Sequence, residues 1–197
     1  MRFILTSDEK FKDFFEGLKK RSDMDMSAVT PVVSQILQDV KNRGDEALFE
    51  QIAKFDSWAP DQDSLKIDLD EMRKAYEGLD NSLRNSLHTA FDRIKNYHGK
   101  NVPQTWMEQD EHGVMLGAKY TPVDRAAYPS SLLMNAVPAI VAGVKSIVVC
   151  TPAVKGKVNS LLLAAMHVCG IKEAYKVGGA SAIAAMAYGT QTIKKAD

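Results

Sequence analysis

The segment Val177-Gly178-Gly179-Ala180-Ser181 is where residue type and spacing point most directly at chemistry in this 197-residue sequence. Paired glycines after an apolar run let a ligand approach bare backbone. The Ala-rich stretch that follows reads as a helix, whose first N–H groups lack partners within it. A helix start of this kind holds phosphates and other anions. Gly178, Gly179 and Ser181 are therefore the candidate cofactor-binding residues. The turn is not GxGxxG, so the dinucleotide fingerprint is absent, and taken alone a Gly-Gly turn before a helix is more often plain loop geometry.

The remaining reactive residue types offer less. In Tyr128-Pro129-Ser130-Ser131, Ser130 or Ser131 reads as the N-cap of the helix that follows. A nucleophilic serine needs a partnered base, and no histidine is placed to serve as one. His88, His98, His112 and His167 are scattered, with no pair at metal-ligand spacing, and read as solvent-facing or structural. Cys150 and Cys169 sit in the apolar contexts IVVC and AMHVC and read as buried, reduced thiols. The residues thus supply an anion or nucleotide cradle and no catalytic set.

The elements that must position this cradle follow from periodicity. Ser7 reads as a helix N-cap ahead of the stripe Phe11, Phe14, Phe15 and Leu18. A second helix carries Val29, Val32, Val33, Ile36, Leu37 and Val40. Gly44 ends it, and Asp45 caps a third with Leu48, Ile52 and Phe55. All three stripes read as core faces. Residues 57–68 form a connection with a short strand at Leu65-Lys66-Ile67, and residues 69–98 return to helix. A hairpin turning at Glu111-His112-Gly113 occupies 101–125.

From Ala126 the pattern becomes alternating helix and strand: helix over 131–143, strand at 145–150, helix over 158–169, strand at 174–177, helix over 181–188. The nearly continuous apolar run to Cys150 is typical of a parallel strand covered on both faces. Strand, helix, strand is a βαβ unit, and its ligands bind off the carboxyl ends of the strands, near Thr151 and Gly178. The two regions divide as 1–125, mostly helical with a hairpin, and 126–197, α/β.

Lys+Arg and Asp+Glu are 25 each, so the net charge is zero and carries no electrostatic footprint for nucleic acid or an anionic membrane. The opening MRFILTSDEK is too short in apolar residues for a signal peptide, and no stretch reaches the roughly 18 residues of a membrane span. A cytoplasmic location is expected.

Longer segments carry a resemblance. AAYPSSLLMNAVPAIVAGV, VVCTPA, YKVGGASAIAAMAYGT and TIKKAD, with VKNRGDEALFEQIAKFD and HGVMLGAKYTPVDR before them, are similar to histidinol dehydrogenase over about Val29 to Asp197. The resemblance implies a helical N-terminal region followed by an incomplete Rossmann-like three-layer domain. It also implies a cytoplasmic homodimer whose active site is shared between subunits. The implied reaction oxidises L-histidinol to L-histidine in two hydride transfers to NAD, with zinc holding the substrate beside a Glu/His acid–base pair. Ser130 and Ser131 are then weak substrate-side candidates. Three departures stand out. The family's GLYVPGG-type segment, whose tyrosine packs on NAD, is missing where Arg125 runs into Ala126. Ser181 replaces the glutamine of VGGAQ, which contacts the cofactor ribose. The family's GPGN motif, zinc ligands and Glu/His pair lie past the position of Asp197, so no catalytic or metal residue carries over. The implied alternative is a catalytically inactive relative that serves as a small-molecule-binding or assembly module. A continuous backbone through Arg125–Ala126 is expected of that alternative, and a break there of omitted residues. The chain alone is expected to bind NAD weakly and to self-associate. It is also expected to form no NADH from histidinol with zinc present; absorbance at the NADH band checks this.

Overall fold

The computed structural model describes residues 4–22, 27–128 and 132–196, and the chain divides into two compact units, Met1–Gln35 and Ile36–Asp197. Helix α1 (Phe11–Ser22) starts four residues after Ser7, because Asp8 closes a turn of its own by accepting from the Leu5 N–H at 3.1 Å. Its aromatic stripe is not a core face. Phe14, Phe15 and Leu18 stay exposed, and Phe11 and Phe15 stack on each other at 5.5 Å. Helix α2 (Val29–Arg43) likewise leaves Val29 and Val32 exposed; its buried residue is Val40.

Gly44, at φ 62°, turns the chain directly into α3 (Asp45–Asp56). Asp45 is not its cap. It is the first helical residue, and its carboxylate instead accepts from Thr192 Oγ1 at 2.7 Å. The expected strand at Leu65–Ile67 reduces to one antiparallel bridge between Lys66 and Tyr175. Asp61 and Ser64 form a capping box that winds Gln62–Leu65 into α4 instead. The helical stretch beyond is two helices, α5 (Leu69–Glu77) and α6 (Asn81–Gly99), because Asp68 and Asp80 each accept from a first-turn N–H and restart the winding. The hairpin forms as expected: β1 (Trp106–Gln109) pairs antiparallel with β2 (Met115–Ala118), with Gly113 at φ 83° in the turn.

The sheet that matters for the cradle comprises β3 (Arg125–Tyr128), β4 (Ser146–Cys150) and β5 (Glu173–Tyr175), parallel and in that order. Helices α7 (Leu132–Val141), α8 (Ser160–Val168) and α9 (Gly179–Tyr188) alternate with the strands. Strand β3, short and rich in alanine, escapes the periodicity argument. It runs unbroken through Arg125–Ala126, in register with Ser146 and Ile147.

Helices cover both faces of this sheet, giving three layers. Val148, Cys150, Tyr175 and Val177 join Leu48 and Ile52 of α3 and Ala182 and Ala185 of α9 in one core. Val149 and Ala174 point the other way, into a core with Met72, Val137, Ala164 and Met166 from α5, α7 and α8. The strand period of two divides one apolar run between two cores. Cys150 and Cys169 are buried and free, as expected, and burial pushes their thiols up to about 12 and about 11.

One charged rung crosses the sheet at its amino edge. Arg125 donates to both carboxylate oxygens of Glu173, at 2.6 and 2.9 Å, and to Ser146 Oγ at 3.1 Å, while the Tyr175 hydroxyl donates to Glu173 at 2.8 Å. The rung thus links all three strands through side chains that are mostly buried. These hydrogen bonds, that from Arg125 foremost, hold the Glu173 carboxyl below its ordinary value of 4.5. A depressed folded value means the stabilisation is complete above the unfolded pKa and is lost as pH falls below it. We therefore expect Arg125→Met to lower stability by about 2 kcal/mol at neutral pH, the partial exposure of the pair placing it below the range for fully buried ones. Most of that difference should vanish once pH has fallen through the depressed value of Glu173 and its carboxyl protonates. Urea unfolding of both proteins across pH measures it.

Candidate functional site: a glycine turn on an apolar cavity

At the carboxyl end of β5 the chain continues through Val177, enters the glycine pair and winds into α9. The turn lies on a cavity of about 310 Å³ lined by Gly178, Gly179, Ala180, Ser181 and Pro152, and, from the opposite wall, by Ile36, Gln51, Ile52, Phe55 and Asp56. The location obeys the rule for open parallel sheets, whose ligands sit off the carboxyl ends of the strands.

The two glycines have different reasons to be glycine. Gly178 has an extended backbone (φ −129°), which any residue can adopt, but a Cβ there would lie 2.8 Å from Cβ of Pro152. Its smallness serves the contact between the ends of β4 and β5. Gly179 is at φ +62°, and a Cβ built on it meets nothing within 4 Å, so its backbone borders open space. Only this second glycine leaves the chain bare toward a ligand. Ser181 is buried, with its Oγ 3.5 Å from the Gly178 carbonyl, at the outer limit of a hydrogen bond. The first-turn N–H groups of α9 have no acceptors within the helix and carry the positive end of its dipole. Together with Ile36, Ile52, Phe55 and Pro152, the site suits a ligand with an anionic group and a flat apolar group side by side.

Apart from Ile36 of α2, the far wall of the cavity belongs to α3, which a polar latch holds in place. The Asp45 N–H donates to Gln191 Oε1 at 2.8 Å, and Thr192 Oγ1 donates to Asp45 Oδ2 at 2.7 Å. Gly44 suits its φ of +62°, and a Cβ there would push aside the end of the Gln191 side chain that makes the latch. The latch ties the start of α3 to the segment after α9, and the small residues Ala182 and Ala185 let the two helices pack.

Of the residues singled out in the sequence, Gly178, Gly179 and Ser181 come together on this cavity, while Ser130 and Ser131 lie outside the described residues. The histidines are elsewhere. His88 Nε2 is 2.9 Å from the Tyr76 hydroxyl, the His167 ring packs 5.0 Å from that of Tyr76, and His112 lies in the hairpin turn 3.6 Å from Glu111. No group of three or more His, Cys, Asp or Glu among the described residues is placed to hold a metal ion. The sequence gives Gln51, Phe55 and Asp56 no ligand role, though all three line the cavity. Phe55 reads as a core residue by its spacing, yet it is 58% exposed and lines the cavity.

Comparison with known proteins decides the family: the sequence profile described as histidinol dehydrogenase matches residues 19–197. The chain belongs to the histidinol dehydrogenase family. A histidinol dehydrogenase from Wolinella succinogenes is 54% identical over 198 positions, which take in 95% of this chain and 46% of that protein. One from Sulfurimonas denitrificans is 50% identical over 207 positions, covering all of this chain and 48% of the relative. The crystal structure of histidinol dehydrogenase from Elizabethkingia anophelis superposes with a TM-score of 0.76 at 30% identity, over 88% of this chain and 41% of that one. The chain therefore spans about half the length of these relatives. The alignment of 207 positions exceeds the 197 residues of this histidinol dehydrogenase relative by ten, so the Sulfurimonas protein carries at least that many residues with no counterpart here.

The glycine analysis predicts that Gly178→Ala costs about 1–3 kcal/mol of stability through overpacking against Pro152. Pro152→Gly in the same chain should recover part of that loss. Chemical denaturation of the single and double variants measures both.

Proposed function

We propose that this chain forms the nucleotide-binding portion of a histidinol dehydrogenase, an enzyme that carries L-histidinol to L-histidine through two hydride transfers to NAD. One observation carries the reading. In a chain of this family, a glycine turn at the carboxyl end of a parallel strand opens onto a cavity that joins helix N–H groups to an apolar slot.

The residues present fit NAD in part. At about 310 Å³ the cavity is at the lower end of ligand-pocket volumes, roughly 300–1,000 Å³, and suits one nucleoside end of the cofactor. The N–H groups at the start of α9 would receive the pyrophosphate, Gly179 would let it approach, and Phe55 with Ile36 and Ile52 would cover the base. Bound there, NAD supplies the hydride acceptor. Ser181 is too short to do what the family's glutamine does at that place, so affinity in this chain is weak. Zinc is different: the described residues offer it no donor set, and no step is routed through it.

The homodimer reading is supported by the hairpin, where Trp106, Met107, Met115 and Leu116 are exposed on a two-stranded ribbon too small to be stable alone. A cytoplasmic setting accords with two unpaired, buried thiols. No described helix is long and apolar enough to cross a membrane. A second reading, an inactive relative that keeps the nucleotide site, rests on Ser181 standing where the family resemblance places glutamine.

Isothermal titration with NAD and with ADP-ribose tests the site common to both readings. Weak saturable binding is expected, tightened about 2- to 10-fold by Ser181→Gln, the worth of one added hydrogen bond. Absence of binding to both the parent chain and the variant would remove the nucleotide role.

A further inference from the structure

At the opposite edge of the sheet, among the amino ends of the strands, lies a larger cavity of about 510 Å³ that the nucleotide reading leaves unused. Four lysines line it. Lys145 and Lys172 directly precede β4 and β5, Lys66 makes the bridge beside Tyr175, and Lys194 comes from the segment after α9. The carboxylate in the lining, Glu173, is engaged by the Arg125 guanidinium at 2.6 and 2.9 Å and by the Tyr175 hydroxyl. Arg125 is the main counter-charge to Glu173, Lys66 adds a weaker attraction, and the concavity keeps a surplus of ammonium groups in a chain whose net charge is zero. None of the four forms a salt bridge among the described residues.

The helix ends do not account for these charges. Helix α7 has no basic residue in its last turn, and α8 has His167 there. Lys145 and Lys172 each lie four residues beyond, where the dipole effect has already faded. Like charges facing one cavity raise its potential and draw a counter-ion of opposite sign. Ile140, Val144, Ile147 and Ile171 complete the lining with apolar surface, which an inorganic ion alone would leave uncovered.

We infer that this cavity binds a small organic polyanion, a phosphorylated molecule with at least two negative charges on an apolar body. The site is independent of the proposed cofactor cradle: it lies at the other end of the strands and shares no lining residue with it.

Titration calorimetry of the full chain with inorganic pyrophosphate and with ADP, at ionic strength below about 0.1 M so that screening is modest, tests this. Both probes are expected to bind saturably, ADP more tightly, and both to weaken with added salt. The double variant Lys145→Glu/Lys172→Glu changes exposed side chains, so it should keep the parent circular dichroism while losing about tenfold or more in affinity. Should it misfold, Lys145→Ala/Lys194→Ala serves the same purpose. Gly178→Ala, at the other end of the strands from the lysines, should leave the share of pyrophosphate binding lost in the lysine variants unchanged. Failure of pyrophosphate to bind, or equal affinity in the lysine variants, overturns the inference while leaving the NAD site standing. Loss of NAD binding with pyrophosphate binding intact does the reverse.

Discussion

The architecture depends on β4 being buried on both faces. A five-residue strand that sends Val148 and Cys150 into one core and Val149 into the other must have helices above and below it, since an exposed face would leave apolar area in water at about 25 cal/mol per Å². The neighbouring strands inherit that constraint. β5 splits Tyr175 from Ala174 in the same way, and the helices between the strands have nowhere to go but the two faces. The helices before the sheet complete these layers, α3 on the side of Cys150 and α5 on the side of Val149.

Two polar devices fix what burial leaves loose. The rung from Arg125 to Glu173 registers three strands at their amino edge, and the latch from Asp45 to Gln191 and Thr192 fixes α3 against the segment beyond α9. Burial is non-directional and would tolerate α3 sliding along the sheet. A buried carboxylate held at 2.7 Å by a threonine hydroxyl would not. The width of the cavity at the glycine turn is thus set from more than 130 residues away in sequence. The two ends of the sheet then differ in character, with helix N–H groups and apolar walls at one and ammonium groups at the other.

Much of this was legible in the sequence. The apolar run ending at Cys150, the paired glycines and the Ala-rich helix after them announce a parallel sheet and its turn, because a strand buried on both faces and a helix that packs closely leave distinct compositions. The hairpin at Gly113 was legible for similar local reasons. The stripe Phe11, Phe14, Phe15 and Leu18 was misleading: helical spacing reports that a face is apolar, and does not report that anything covers it. Asp45 was misread because an aspartate at a helix start usually caps, and its actual partner, Thr192, is invisible to any local window. β3 was silent since alanines carry little strand signal.

What the sequence by itself determined is the family, the α/β class and the identity of the glycine turn that ends β5, all written in short-range pattern and in long motif-bearing segments. The tertiary structure decided which glycine borders open space and which packs on Pro152, and that Phe55 lines a cavity instead of a core. It also gathered four lysines from a neutral chain around one opening. Those outcomes are distances between residues far apart in sequence, and composition sums over the chain exactly the contributions that folding separates in space.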